Sequence, residues 1–170
     1  MRVIVAGGSG AIGSSLCKSL VERGDEVLNL DILKPIARYE SGYEFIQTDL
    51  LKALPKKIQD WGAETVYNCV ARLPMEKGST KQYFDINSIP AMRLAEFSLE
   101  NNVRKYVYLS TSAFYARSPS PLSEESIPNP GETYGRSKLY TEECLLKFRN
   151  SNNIDISFIR PRTVIGTGRI

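Results

Sequence analysis

The sequence predicts an α/β fold, a doubly wound parallel sheet with helices on both faces. Short apolar, β-branched segments alternate along the chain with longer segments whose apolar residues recur at helical spacing. A glycine-rich turn joins the first apolar segment directly to the first helical one. No repeat, linker or low-complexity tract interrupts the alternation. Strands and helices that alternate in this way form a parallel sheet, so residues 1–170 are expected to be one domain of Rossmann type.

The first strand, Arg2–Ala6, is followed at once by the turn Gly7-Gly8-Ser9-Gly10-Ala11-Ile12-Gly13 and then by a helix. Gly7 permits a sharp turn out of the strand, Gly10 permits close approach of a ligand, and Gly13 permits the helix to pack on the sheet. The N–H groups and the dipole at the helix start favour a pyrophosphate. A glycine-rich strand–helix connection without any ligand is the alternative, and the motif alone does not exclude it.

The second strand, Glu26–Leu30, ends in an acid, Asp31, at about the expected twenty residues past the glycines. A carboxylate at this position accepts hydrogen bonds from an adenosine ribose and repels a 2′-phosphate. The sequence therefore favours NAD over NADP, although Lys34 and Arg38 act in the opposite direction.

The remaining elements follow in order. Further strands are predicted at Glu44–Gln47, Thr65–Ala71, Arg104–Leu109 and Asp155–Arg160. Helices are predicted at 51–61, 78–101 and Tyr134–Arg149. Pro55 is expected to shorten or split the first of these helices, and Pro90 is expected to kink or break the second. Residues 116–130 are rich in Pro and Ser and predict an irregular surface loop.

Composition excludes several classes of function. The formal net charge is only +3 and the basic residues are scattered, so a nucleic-acid partner is not indicated. No apolar run approaches the roughly 18 residues of a membrane span, and the chain begins in strand pattern, which leaves no room for a signal peptide. The 3 cysteines lie in apolar contexts and predict core residues in a reducing, cytoplasmic compartment, without disulfides or zinc.

The absence of histidine removes the usual general base and the commonest metal ligand. No metal site is expected, and acid–base chemistry must come from Tyr, Lys, Asp or Glu. Tyr134 and Lys138 are four residues apart on a predicted helix, so they share a face. A free tyrosine has a pKa near ~10, and a nearby ammonium or a positively charged nicotinamide would lower it enough for a base. The alternative is an aromatic residue beside a solvated lysine.

Polar residues also follow two of the predicted strands. Ser110-Thr111-Ser112 comes at a carboxyl end, where its hydroxyls either hold a substrate oxygen or cap the following loop. Asn68 and Asn87 are similar cases, since each is also explained as a satisfied polar residue near the end of an element.

Taken together, the motifs GGSGAIG, DILKP, TDL, NCVA, STSAFY, YGRSK and IRPRTVIG resemble the extended short-chain dehydrogenase/reductase family. Within it the chain is most similar to the NAD-dependent epimerase/dehydratase group that acts on nucleotide sugars, and the resemblance covers nearly the whole chain. The resemblance implies a cofactor-binding set of Gly7, Gly10, Ala11, Ile12, Gly13, Asp31, Asp49, Leu50, Val70, Ala71, Asn87, Pro161 and Thr163, together with Tyr134 and Lys138. It assigns Asp49 and Leu50 to the adenine pocket, and Pro161 and Thr163 to the nicotinamide side.

The implied reaction is NAD-linked oxidoreduction at a secondary alcohol of a nucleotide sugar. Tyr134 takes the hydroxyl proton, Lys138 lowers the pKa of that tyrosine and binds the nicotinamide ribose, and Thr111 orients the hydroxyl. In an epimerase the ketone turns over before the hydride returns. A short-chain reductase of a steroid-like, flavonoid-like or other non-sugar alcohol remains open, as does a non-catalytic NAD-binding module.

Two features depart from the family pattern. Ser112 and Ala113 stand where sugar 4,6-dehydratases of the family have an Asp-Glu pair, which disfavours that elimination. The chain also stops at Ile170, inside the family's Gly-x-Gly segment, so it resembles a fragment without the carboxyl-terminal substrate domain. Such a chain is expected to bind NAD with little turnover and to leave its last strand as an uncovered edge.

The resemblance further implies a homodimer in which two helices from each subunit form a four-helix bundle. The matching segments are Asn87–Asn101 and Tyr134–Arg149. The leucines expected to remain for a partner are Leu99, Leu139, Leu145 and Leu146.

Overall fold

The structure, a computed structural model, describes residues 1–36, 41–115 and 121–165. It contains a six-stranded, fully parallel sheet with the strand order β3-β2-β1-β4-β5-β6. The strands are β1 (Arg2–Ala6), β2 (Glu26–Asp31), β3 (Tyr43–Gln47), β4 (Thr65–Asn68), β5 (Lys105–Leu109) and β6 (Ile156–Ile159). The order reverses between β1 and β4, which is where ligands bind in doubly wound sheets. The predicted fold class is confirmed.

Three α-helices cover the two faces of the sheet: α1 (Ala11–Glu22), α2 (Thr80–Glu100) and α3 (Thr133–Asn152). Successive residues of a strand point to opposite faces. Val3 and Val5 of β1 therefore pack with α1, whereas Ile4 and Ala6 join a larger core that includes residues of α2 and α3. All four side chains are fully buried, as expected for a strand covered on both faces.

The segment predicted as a helix over 51–61 is only partly helical. Pro55 is the N-cap of a short 3₁₀ helix at Lys56–Trp61, and the residues before it are turns and extended backbone. The proline has therefore shortened the element, one of the two outcomes expected from its fixed backbone. Ile58 is buried beneath it.

The strand predicted over Thr65–Ala71 ends at Asn68. The backbone N–H of Val70 donates to Asn68 Oδ1 at 3.0 Å, so the chain turns away from the ladder after β4. Val70 and Ala71 consequently follow the strand as a separate segment at its carboxyl end.

Pro90 does not divide the helix in which it lies, because α2 runs continuously from Thr80 to Glu100. Tyr108 of β5 donates its hydroxyl to the Asn87 carbonyl at 3.3 Å. Tyr106 of the same strand donates to the Ala91 carbonyl at 3.0 Å. These two donors stabilise the helix backbone on either side of the proline, an arrangement that helical periodicity alone does not predict.

Two predicted surfaces have different outcomes. Leu145 is completely buried in the main core, which contradicts its expected role on an outer helix face. Its inward neighbours on α3 are Lys138, Thr141 and Glu142, all buried, so the inner stripe of this helix is largely polar and an apolar pattern does not reveal it. Of the other three leucines, Leu99 is exposed, whereas Leu139 and Leu146 are half-buried. β6 is the edge of the sheet, as predicted.

Some predictions lie outside the described residues, namely Arg38 and the parts of the predicted loop and last segment at 116–120 and 166–170. Within the described ranges, no helix is both long enough and apolar enough to cross a membrane.

Candidate functional site

A cavity of about 390 Å³ opens at the carboxyl ends of β1, β2, β3 and β4. Seven residues of the predicted cofactor-binding set line it: Gly7, Gly10, Asp31, Asp49, Leu50, Val70 and Ala71. The predicted residues on the first turn of α1, on α3 and after β6 lie outside its lining. The structure thus brings together two glycines of the turn, the predicted ribose acid, the predicted adenine-pocket pair and the pair that follows β4.

The glycine turn is dictated by close backbone contacts. Gly7 has a φ of +77°, and a Cβ there would lie 2.9 Å from Val70 N. A Cβ on Gly13 would lie only 2.1 Å from the carbonyl oxygen of Gly7. Gly13 thus lets α1 pack on the turn itself, whereas packing on the sheet was expected from the sequence. A Cβ on Gly10 would meet only an ordinary contact at 3.4 Å, so its exposed backbone is open to a ligand.

Gly10 is also the N-cap of α1, and no side chain of the described residues caps the start of this helix. The first N–H groups of an α-helix have no partner within the helix, and the dipole adds positive potential there. Ala11, Ile12 and Gly13 form this first turn. The arrangement suits an anion such as a pyrophosphate.

Asp31 is held at the cavity by the backbone. Its Oδ2 accepts the Ser9 N–H at 2.9 Å and its Oδ1 accepts the Leu33 N–H, also at 2.9 Å. A carboxylate has about four acceptor positions, so both oxygens retain capacity for ribose hydroxyls. Lys34, which opposes the preference for NAD, is exposed on the segment that follows β2.

The adenine side of the cavity includes residues that sequence reasoning missed. Asp49 Oδ1 accepts the Leu51 N–H at 3.0 Å and Leu50 is buried, as expected for a shaped pocket wall. Ile32 and Leu33 also line the cavity although they are 59% and 49% exposed. Their position directly after a strand end was the available signal, because carboxyl ends of parallel strands meet at one edge.

Asn87 connects protein elements. It is 1% exposed, its Oδ1 accepts the Arg72 N–H at 2.7 Å, and its Nδ2 donates to Ser137 Oγ at 2.7 Å. These bonds join the segment after β4 to α2 and α3. They match the alternative of a satisfied polar residue, and a contact between Asn87 and the cofactor remains a prediction. Asn68 is likewise satisfied, since its Nδ2 donates to the Tyr106 hydroxyl at 3.0 Å.

Thr111, Tyr134 and Lys138 come together near the carboxyl end of β5. Thr111 Oγ1 accepts the Ala113 N–H at 3.0 Å, and the Thr111 side chain favours a lower pKa of the Tyr134 phenol. Lys138 is completely buried; its Nζ donates to the Leu109 carbonyl at 2.6 Å and lies 4.1 Å from the centroid of the Tyr108 ring. Thr111 follows β5 and the Lys138 amine contacts the end of that strand, so the hydroxyl and the amine lie in the same part of the molecule.

Burial dominates the electrostatics of this group. It raises the pKa of Tyr134 above its usual value, an effect that the hydrogen bond to Thr111 opposes. It lowers the pKa of Lys138 to about 7. The pKa of Tyr134 is therefore raised in the chain by itself, and the expectation that Lys138 lowers it remains a prediction. The reason for both shifts is desolvation, which disfavours the phenolate and the ammonium alike.

Two further residues border this centre. Ser110 Oγ is buried and has no hydrogen-bond partner among the described residues. An unpaired buried hydroxyl beside Thr111 is suited to a ligand oxygen. The Ser112 N–H donates to the Pro161 carbonyl at 3.0 Å, which places Pro161 against the segment after Thr111. Thr163 is exposed on the chain that follows.

Sequence reasoning also missed an ion pair close to Lys138, between Glu142 of α3 and Arg160 after β6. The one available signal was the spacing of Glu142, which lies one helical turn past Lys138. Within 1–36, 41–115 and 121–165, no cluster of acidic or thiol side chains is arranged to hold a metal ion.

Comparison with known proteins identifies related chains. The family model described as "NAD dependent epimerase/dehydratase family" matches residues 3–170. A UDP-glucose 4-epimerase of Mycolicibacterium smegmatis is 30% identical over 178 residues, which cover 98% of this chain and 57% of that protein.

Two solved structures are similar over nearly the whole chain. A UDP-glucuronic acid 4-epimerase from Bacillus cereus in complex with NAD has a TM-score of 0.87 at 26% identity, covering 98% of this chain and 58% of that one. MoeE5 in complex with UDP-glucose and NAD has a TM-score of 0.84 at 28% identity, covering 100% and 57%. The chain spans about half the length of the proteins that it matches.

Proposed function

Because the chain belongs to the NAD dependent epimerase/dehydratase family, we propose that it binds NAD and carries the catalytic groups for epimerisation of a nucleotide sugar. The predicted family and the NAD cofactor of that family are confirmed. The observation that carries the proposal is a shared edge. Tyr134, Lys138 and Thr111 gather at the carboxyl end of β5, at the same sheet edge as the glycine turn and Asp31.

The residues around the cavity fit a dinucleotide. Gly7 and Gly13 allow the tight backbone contacts that shape the turn, and the uncapped start of α1 offers unpaired N–H groups to a pyrophosphate. Asp31 keeps acceptor capacity for a ribose whose 2′-hydroxyl is free. Its negative charge disfavours a 2′-phosphate, so the proposed cofactor is NAD in preference to NADP.

The chemistry proposed for the centre is proton transfer at a sugar hydroxyl. Bound NAD supplies a reversible hydride acceptor. Tyr134 takes the hydroxyl proton as the carbon–hydrogen bond breaks and returns a proton when the ketone is reduced, while Thr111 orients the oxygen. Because burial raises the pKa of Tyr134, the phenolate needs a positive neighbour, and Lys138 is the cation placed for this role.

The relatives named above act on UDP sugars, and a nucleotide sugar is accordingly the proposed substrate class. Since the chain spans about half of their length, we propose that these 170 residues bind NAD but turn over nucleotide sugars slowly. A homodimer through α2 and α3 is also proposed, since Ile89 and Tyr140 are 37% and 48% exposed on these helices. The proposed compartment is the cytoplasm, where the three free thiols would remain reduced.

The test incubates the purified chain with NAD⁺ and UDP-glucose, UDP-galactose or UDP-glucuronic acid, and separates the sugar products by chromatography. NADH binding is measured in parallel by the change in its fluorescence. We expect saturable NADH binding with slow or no epimerisation. Absence of NADH binding would refute the proposed function, and rapid epimerisation would refute the slow turnover. Light scattering at micromolar concentration tests the dimer, which a single monomer mass would exclude.

A further inference from the structure

Behind the catalytic group, Arg160 and Glu142 form a buried, two-pronged ion pair. Arg160 Nε lies 3.1 Å from each carboxylate oxygen of Glu142, and Nη2 donates to Oε2 at 2.6 Å. The side chain of Glu142 is 1% exposed and that of Arg160 is 24% exposed. A buried pair of this geometry strongly disfavours the removal of either partner, because the remaining charge is left without compensation.

The same guanidinium holds the segment that follows Thr111. Arg160 Nη1 donates to the Tyr115 hydroxyl at 2.6 Å and to the Glu124 carbonyl at 3.1 Å. Its carbon Cζ lies 5.1 Å from the centroid of the buried Phe114 ring. The pair therefore joins three parts of the chain: α3, the end of β6, and the segment from Thr111 to Tyr115.

Glu142 is also the anion nearest in sequence to Lys138 on the buried face of α3. Residues four apart on a helix have Cβ atoms about 6 Å apart, and both side chains are buried. The other titratable groups around the amine are Cys69 after β4, Tyr108 on β5 and Tyr134 on α3 itself. Burial raises the pKa of Cys69 to about 12 and the pKa of both tyrosines, so all three are neutral near pH 7.

We propose that Glu142 and Arg160 are positioning residues of the catalytic centre, which clamp the Thr111 segment onto α3 and set the charge of Lys138 through their own opposite charges. Glu142 favours the ammonium form of Lys138, and Arg160 opposes that effect because it pairs with the same carboxylate. The inference rests on the proposed function only in treating Lys138 as a catalytic residue. The ion pair and its effect on the lysine are properties of the chain without ligand.

The test is a nuclear magnetic resonance titration of Lys138 in the chain labelled with ¹³C at the lysine ε-carbons, with the resonance assigned from a Lys138→Met variant. Glu142→Gln is expected to lower the titration midpoint of Lys138 by about one pH unit. Arg160→Gln is expected to raise it, because the carboxylate then faces the amine without compensation. A pair with only a structural role would move the midpoint equally in both variants or leave it unchanged, and either result overturns the proposal.

If either variant fails to fold, a charge exchange replaces it. The double variant Glu142→Arg with Arg160→Glu keeps an ion pair but places the cation beside Lys138, so its midpoint must fall below that of the wild type. An unchanged midpoint in the exchanged variant refutes the electrostatic role. Glu44→Gln is the matched control, since it removes an exposed ion pair with Lys57 and should not affect Lys138. NADH binding is measured separately, so its absence would refute the proposed function without deciding this inference.

Discussion

The glycine turn and the proposed catalytic centre lie at the same edge of the sheet, yet different interactions build them. At the turn, backbone groups make the interactions that define the structure. Gly7 and Gly13 make close backbone contacts, and two backbone N–H groups donate to the Asp31 carboxylate. At the centre, buried side chains provide the structure, among them Lys138 and the Glu142–Arg160 pair. Cofactor binding at the turn should therefore depend on the volume of its side chains. Chemistry at the centre should depend on the protonation of its side chains.

The largest expected effect separates chemistry from binding. Tyr134→Phe keeps the ring and removes only the titrating hydroxyl, so the same substitution at the matching tyrosine of a full-length relative should lower nucleotide-sugar turnover by about 10²- to 10⁴-fold. NADH affinity should stay within about twofold, because the cavity around Asp31 does not include this side chain. Product analysis and NADH fluorescence measure the two quantities. A large loss of affinity would place the phenol in the binding site instead.

A substitution in the glycine turn should instead impair binding of the cofactor. Gly13→Ala puts a Cβ 2.1 Å from the Gly7 carbonyl, and α1 must shift away from the turn. We expect NADH affinity to fall by about 100-fold, with a loss of stability of about 1–3 kcal/mol as in other overpacked sites. Gly131→Ala is the control, because no described residue other than Gly131 and its two chain neighbours has an atom within 4 Å of the position that its Cβ would take. Equal effects of Gly13→Ala and Gly131→Ala on NADH affinity and stability would contradict a role for the close contact between Gly13 and Gly7.

Cofactor choice should respond more modestly. The wild-type chain is expected to bind NADH about tenfold more tightly than NADPH, and Asp31→Asn should remove most of that preference. Fluorescence titration with both cofactors measures the ratio. Asp49→Asn is the matched control on the same cavity and should leave the ratio unchanged. Equal binding of both cofactors by the wild type would show that Lys34 or Arg38 outweighs the acid.

The last expected effect is a dependence of stability on pH. Because burial lowers the pKa of Lys138 to about 7, the unfolded chain binds more protons at this residue between pH 7 and its ordinary pKa. Stability from Lys138 should thus rise with pH above 7, by at most about 1.4 kcal/mol per unit. Burial raises the pKa of Cys17 and Cys69 to about 12, which opposes this trend above the pKa of free thiols.

Urea unfolding at about pH 7 and 8.5 measures how the stability of the wild type and of Lys138→Met changes with pH. Both proteins contain the same cysteines, so the difference between the two changes reports on Lys138. The wild type should gain stability relative to the variant as the pH rises. Identical changes in both proteins would mean that the buried amine is not destabilised in its charged form.

The difference between the glycine turn and the centre also explains which features the sequence could predict. The turn was accessible because its requirements are local: a strand, three glycines and an acid after the next strand. Helical spacing also placed Tyr134 and Lys138 on one face. Spacing carries no information about desolvation, so it did not predict that burial raises the pKa of Tyr134. The ion pair of Glu142 with Arg160 was missed because tertiary packing of α3 on β6 brings together residues far apart in the chain.

The tyrosine hydroxyls that support α2 beside Pro90 have a consequence for folding. A proline in a helix interior removes a backbone bond and weakens the turn around it. Here the donors come from Tyr106 and Tyr108, which reach the Ala91 and Asn87 carbonyls only when β5 is in the sheet. The middle of α2 and β5 should therefore form and open as one cooperative unit. Amide hydrogen exchange should show the same opening free energy for both.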